Sequence, residues 1–229
     1  MARRRNPKKK DETLVDLGEA SGQVQDFFEA NQNTIIGVLL GLVIAIGGIY
    51  AYNNFYKKPQ QMEAVRLMSK AQQQFERDSF ALALENPGDG GMGFLQIIDN
   101  YGGSDVGNLA HYYAGVSWLN LGKYDAAIAY LKDFNPSGEI TPIMKFGVMG
   151  DAYSEMGKTD DAISHYKKAA NAKDNQFLSA YYLKKLGLLQ QYNGNLEASK
   201  EAYQEIKDKY PDSPEARDID KFISRVDNN

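Results

Sequence analysis

The hydrophobic positions of this chain fall into two patterns. The first is a block. From Ala30 to Tyr56 there is no Asp, Glu, Lys or Arg, and Thr34 to Tyr52 is nearly continuous apolar sequence. As a helix rising ~1.5 Å per residue, that stretch is roughly 28 Å long, close to the hydrocarbon thickness of a bilayer. Tyr50, Tyr52, Phe55 and Tyr56, then Lys57, Lys58 and Pro59, supply an interfacial flank. A cleaved signal peptide is the rival reading. The apolar run is too long and starts too late for it, and no small-x-small cleavage site precedes Lys57. The pattern predicts a transmembrane helix over 34–56, with a polar tail at 1–33 and a separate domain at 57–229.

The second pattern is periodic and recurs. Gly122, Gly157 and Gly194 each lie between two stretches of helical period, at spacings of 35 and 37 residues. Each is preceded by a glycine seven residues earlier, at Gly115, Gly150 and Gly187, and followed by a small residue at Ala127, Ala162 and Ser199. Glycine between two helices supplies a left-handed C-cap. Small residues on facing helices let the backbones approach and admit a bulky neighbour. Repeats are expected at about 108–141, 143–176 and 180–213; Gln190 and Ser199 make the third the loosest match. Upstream, Phe94-x-x-Ile97-x-Asp99-x-Tyr101-x-x-Ser104 reappears 109 residues later as Tyr203-x-x-Ile206-x-Asp208-x-Tyr210-x-x-Ser213. An atypical first repeat is therefore placed at about 60–104, with an insertion at 77–92. Ser213-Pro214 begins a capping helix over 214–226, with serine as N-cap and proline in the first turn. The expected fold is all-α: one N-terminal transmembrane helix, then an α-solenoid of about four helix pairs and a cap.

Charge sharpens this division. The mean hydropathy of −0.50 describes a soluble protein, yet the charges avoid one segment. Residues 1–33 carry six basic and six acidic groups, 34–56 carry none, and 57–229 carry 20 basic and 24 acidic. The net charge of −4 thus resides in the repeat domain, and no basic field for nucleic acid exists. The basic block Arg3–Lys10 has no interleaved aromatics and reads as a solvated cytosolic tail, with a nucleic-acid or lipid-headgroup patch as the alternative. Charge alone does not orient the span, because Lys57, Lys58, Arg66 and Lys70 lie nearer to it than the basic block does. Within the span Gly37, Gly41, Ala45 and Gly48 share one face, either as a helix–helix contact surface or as the ordinary glycine content of membrane helices.

The repeat period of about 34 resembles that of the tetratricopeptide repeat (TPR). The order of parts resembles one family more closely. Phe27-Phe28-x-x-Asn31 precedes the span, Gly47-Gly48-Ile49-Tyr50-Ala51-Tyr52 ends it, and Glu63-Ala64 and Ala71-x-x-x-Phe75 lead into the repeats. This is similar to the YfgM-type membrane-anchored TPR proteins, from about residue 22 onward. The resemblance implies a bacterial inner-membrane protein with a cytoplasmic N-terminus and a periplasmic TPR domain. It implies an ancillary or chaperone-like role at the Sec translocon, with SecYEG, a PpiD-like chaperone or emerging polypeptides as partners. The insertion at 77–92 departs from the compact pattern of that family. A homo-oligomeric organiser of envelope assembly or cell division, of the CpoB kind, is the alternative; its usual cleaved signal and coiled coil are missing here.

Catalytic chemistry finds no foothold. Cysteine is absent and there are only two histidines, His111 and His165. Gly88-Asp89-Gly90-Gly91-Met92-Gly93 fits a dinucleotide-loop spacing, but Asn86-Pro87 and a helical run precede it where a strand is needed. Asp160-Asp161 has no calcium-loop ladder around it and suits a helix start. No enzyme activity, cofactor or metal is expected. What remains is binding on the inner face made by the first helix of each repeat. By register that face carries Leu109, Tyr112, Val116, Leu119 and Asn120, then Met144, Asp151, Ser154 and Glu155, then Tyr181, Lys184, Leu188, Gln191 and Tyr192. Tyrosines there offer rigid apolar area with a polar tip, suited to peptides.

Overall fold

In a computed structural model the described residues are 12–228, with side chains described at 25 and from 27 on; the basic block Arg3–Lys10 lies outside them. All regular structure among these residues is helical. The chain divides after Lys58 into two units.

The N-terminal unit is a single long helix, α1 (Glu12–Ala51), followed by one π-helical stretch, Tyr52–Lys57. Its apolar side chains have nothing to pack on: Leu39, Val43, Ile44, Ile46 and Ile49 are exposed, Ile44 by 73%. The most apolar window is 18 residues with no part buried, so the helix is long and apolar enough to cross a membrane. Tyr52 and Tyr56 stack with ring centroids 5.4 Å apart at its end.

The C-terminal unit is built from α2 (Lys58–Glu76), α3 (Phe80–Glu85), α4 (Phe94–Tyr101), α5 (Asp105–Asn120), α6 (Tyr124–Asp133), α7 (Thr141–Glu155), α8 (Thr159–Ala172), α9 (Leu178–Tyr192), α10 (Leu196–Lys209), a 3-10 turn (Pro214–Asp218) and α11 (Ile219–Asp227). From α4 onward each helix packs mainly on its sequence neighbours, and α5 meets α7 as α7 meets α9. This is the contact pattern of an α-solenoid. The core is accordingly divided into three clusters strung along the array rather than one central mass.

Three glycine pairs shape the repeats. Gly122, Gly157 and Gly194 take φ of 69°, 71° and 79°, a left-handed conformation open to glycine without penalty. Each sits in the same two-bond cap: Gly122 N–H to Leu119 O with Lys123 N–H to Trp118 O, Gly157 to Ser154 with Lys158 to Tyr153, and Gly194 to Gln191 with Asn195 to Gln190. The inner glycines are sockets. A Cβ on Gly115 would lie 2.6 Å from Leu131, on Gly150 2.6 Å from Tyr166, and on Gly187 2.3 Å from Tyr203. In every case the knob is sixteen residues further along the chain. Ala127, Ala162 and Ser199 are fully buried beside these contacts. The loosest repeat compensates for its departures with hydrogen bonds: Ser199 Oγ donates to Gly187 O at 2.8 Å, and buried Gln190 accepts from Asn195 at 2.9 Å.

The ends follow the internal echo. Phe94 and Tyr203 are fully buried, as are Ile97 and Ile206. Ser104 Oγ caps α5 by accepting from Gly107 N–H at 3.0 Å, and Ser213 Oγ accepts from Ala216 N–H at 3.2 Å. The cap starts as a 3-10 turn and becomes α-helical only at Ile219. Within 77–92 the chain forms α3 and a turn in which Gly88, Asp89 and Gly90 all have positive φ. The remaining glycines of that motif serve close packing: a Cβ on Gly91 would meet Lys70, and one on Gly93 the backbone of Leu84. The motif is flanked by helices on both sides, which is not the geometry of a dinucleotide loop.

Filling a socket should cost far more than altering an open glycine. Gly150→Val is expected to destabilise the repeat unit by about 2 kcal/mol through overpacking against Tyr166, whereas Gly103→Ala, where a Cβ meets nothing within 4 Å, should change stability by less than about 0.5 kcal/mol. Urea melts of the two variants followed by circular dichroism check this; equal losses would remove the sockets from the account.

Candidate peptide groove

The first helices of the three regular repeats are α5, α7 and α9. On α5, Leu109, Tyr112, Val116 and Leu119 are half-buried, while Asn120 is exposed and folds its amide back onto Val116 O at 2.9 Å. Tyr112 is the most enclosed of the tyrosines expected in the groove. Its ring meets those of Tyr113 and Phe134, and its hydroxyl reaches Met144 Sδ at 3.9 Å. Burial, with Tyr113 and Asp151 nearby, pushes its pKa up to about 12, so it is a neutral packing and donor group at any physiological pH.

On α9 the exposed apolar groups are Tyr181, Leu188 and Tyr192, the last 91% exposed. Lys184 leaves this stripe: its ammonium sits 4.9 Å from the Phe222 ring of α11. Lys185, one position on, turns to α7 instead. Adjacent helical residues point about 100° apart, which is enough to send the two lysines to different neighbours. Gln191 accepts from Tyr203 at 3.3 Å and so faces α10.

Between α5, α7 and α9 lies a cleft of about 410 Å³ lined by Leu119, Asn120, Tyr124, Asp151, Ser154, Glu155, Tyr166 and Lys185. Register alone supplies Leu119, Asn120, Asp151, Ser154 and Glu155. The other three, Tyr124, Tyr166 and Lys185, are legible only in three dimensions, because Tyr124 and Tyr166 belong to the second helices and reach over. Asp151 is the centre: its Oδ1 accepts from Lys185 Nζ and from the Tyr166 hydroxyl, each at 2.7 Å. Burial works against the Lys185 charge, but the hydrogen bond and charge of Asp151 outweigh it and hold the amine above its usual range. Tyr166 is pushed well above the usual tyrosine range by burial first and by Asp151 second. Lys185 also lies over the rings of Tyr181 at 5.1 Å and Tyr166 at 5.8 Å. Glu155 is less tied, with one long bond from the Tyr124 hydroxyl at 3.4 Å.

The lining is polar with aromatic walls. Among the described residues no group of three His, Asp or Glu could hold a metal. On α1, a Cβ at Gly37, Gly41 or Gly48 would meet nothing within 4 Å, and Ala45 is exposed, so that small-residue face is bare.

Because Lys185 and Asp151 are both about one quarter to one third exposed, their pairing is expected to be worth about 1 kcal/mol rather than the several of a fully buried pair. A double-mutant cycle with Lys185→Met and Asp151→Asn, read by urea denaturation, should return that coupling energy; a coupling near zero would show the pair to be idle.

Comparison with known families agrees with this geometry. One tetratricopeptide repeat model matches residues 109–135 and 183–213, and a second tetratricopeptide repeat model matches 146–176. No curated protein matches the chain. The region of α5 to α10 carries tetratricopeptide repeats and is a helical solenoid built from them.

Proposed function

We propose that this protein is a membrane-anchored, non-enzymatic scaffold that binds extended protein segments in the groove of its repeat domain. The observation that carries the reading is the exposed stripe Tyr181, Leu188 and Tyr192 running beside the polar cleft at Asp151. Exposed apolar side chains along one helix beside fixed polar groups suit a ligand that offers side chains along its length and needs orientation. The tetratricopeptide repeats point the same way, since such arrays act as protein-interaction surfaces.

The finer reading follows the resemblance to the YfgM-type family. The apolar segment of α1 anchors the chain in a bacterial inner membrane, the tail lies in the cytoplasm and the repeats in the periplasm. There the protein acts as an ancillary or chaperone-like subunit of the SecYEG translocon, holding emerging polypeptides or a PpiD-like chaperone. The anchor confines the groove to the membrane surface, so a weak site gains from high effective concentration near an exit channel. The bare face of Gly37, Gly41, Ala45 and Gly48 supports a second reading, a homo-oligomeric envelope organiser, in which this face pairs with its copy.

Protease added to spheroplasts should degrade the repeat unit and spare it in intact cells; repeats cut only after the inner membrane is broken would overturn the periplasmic placement. Purification of the full chain in mild detergent is expected to recover translocon subunits. A folded protein that returns only itself, with the self-association lost in Gly37→Leu/Gly41→Leu, would favour the organiser.

A further inference from the structure

The charges of the cleft do not cancel. Asp151 and Glu155 lie one turn apart on α7, and Lys185 is the sole cation in the lining, leaving one negative charge in excess. Lys185 is spent, its ammonium held by Asp151 Oδ1 and two tyrosine rings. Both bonds to Asp151 fall on Oδ1, so the second oxygen keeps its accepting capacity. Glu155 is exposed, and the 3.4 Å contact from Tyr124 is its only hydrogen bond within the cleft. A carboxylate ligand would have to displace Asp151 from Lys185 and would then face Glu155. A cation meets neither obstacle.

We propose that this cleft is the specificity subsite of the groove and takes an arginine side chain of the bound segment. The proposal rests on the peptide-binding reading above and adds the class of ligand. Carboxylates at i and i+4 present acceptors to two edges of a planar guanidinium, which donates in a fixed fork and stacks on an aromatic ring such as Tyr124. Lysine, a strongly hydrated point charge, uses only part of this arrangement and binds more weakly. The neighbouring Leu188 and Tyr192 take flanking apolar side chains, so the preferred segments are extended, basic and apolar in alternation.

The test is a cellulose array of short random-sequence peptides, probed with the full-length protein in detergent and repeated with citrulline in place of every arginine. Arginine peptides should be enriched among those captured, and citrulline, which keeps the shape and loses the charge, should weaken capture about fivefold. Glu155→Gln should abolish that difference, while Glu139→Gln, at an exposed acid outside the cleft, should keep it. Glu155→Lys should shift capture toward glutamate peptides, which a merely unstable variant would not do. Capture indifferent to the citrulline exchange overturns the arginine subsite and leaves peptide binding standing. Arginine dependence untouched by Glu155→Gln overturns the placement of the subsite. A folded wild-type protein that captures no peptide overturns both this inference and the reading it rests on.

Discussion

The repeat unit depends on one steric event performed three times: a bulky side chain of the second helix enters the gap left by a glycine on the first. Leu131 enters at Gly115, Tyr166 at Gly150 and Tyr203 at Gly187. The closeness this allows sets the distance between the two helices of a pair. The left-handed caps at Gly122, Gly157 and Gly194 then reverse the chain at a fixed angle. With spacing and angle both set, stacking of successive pairs follows. A further knob, Tyr182 against Gly147, links α9 to α7 across the pairs. Side chains in such close-packed interfaces have little room to adjust, so the groove inherits its geometry from these sockets.

The same packing makes the site. Tyr166 fills the Gly150 socket with its ring and gives its hydroxyl to Asp151. A residue that holds two helices together thus also orients the central carboxylate of the cleft. Asp151 in turn holds Lys185 of the next repeat. Fold and cleft therefore share residues, and substitutions at Tyr166 disturb both. The exposed stripe on α9 is different in kind: Leu188 and Tyr192 are largely open to solvent and contribute little to holding the helices together.

Much of this architecture can be read from the chain directly. Glycines at intervals of 35 and 37 residues, and an echo 109 residues long in offset, are strong signals because only a narrow set of backbone shapes tolerates them. The apolar block is equally plain, since charge is absent over a length close to the thickness of a bilayer core. Gln190 and Ser199 depart from the pattern of the other repeats, yet each is buried and hydrogen-bonded. What stayed illegible depends on neighbours distant in sequence. Tyr124 and Tyr166 enter the cleft from second helices, and Lys185 rather than Lys184 lines it because of a rotation of one residue. The glycines between 88 and 93 imitate a nucleotide loop, and only the contacts of Gly91 with Lys70 and of Gly93 with Leu84 reveal a packing role.

On the proposed function, the inner face of the repeats, and not the outer one, receives a protein ligand. Site-specific photocrosslinking in living cells tests it most directly, with a photoreactive phenylalanine analogue at Leu188 on the exposed stripe and, separately, at Lys168 on α8. Adducts to other polypeptides are expected from position 188 and none from position 168. Equal labelling from both positions, or adducts from position 168 alone, would contradict it.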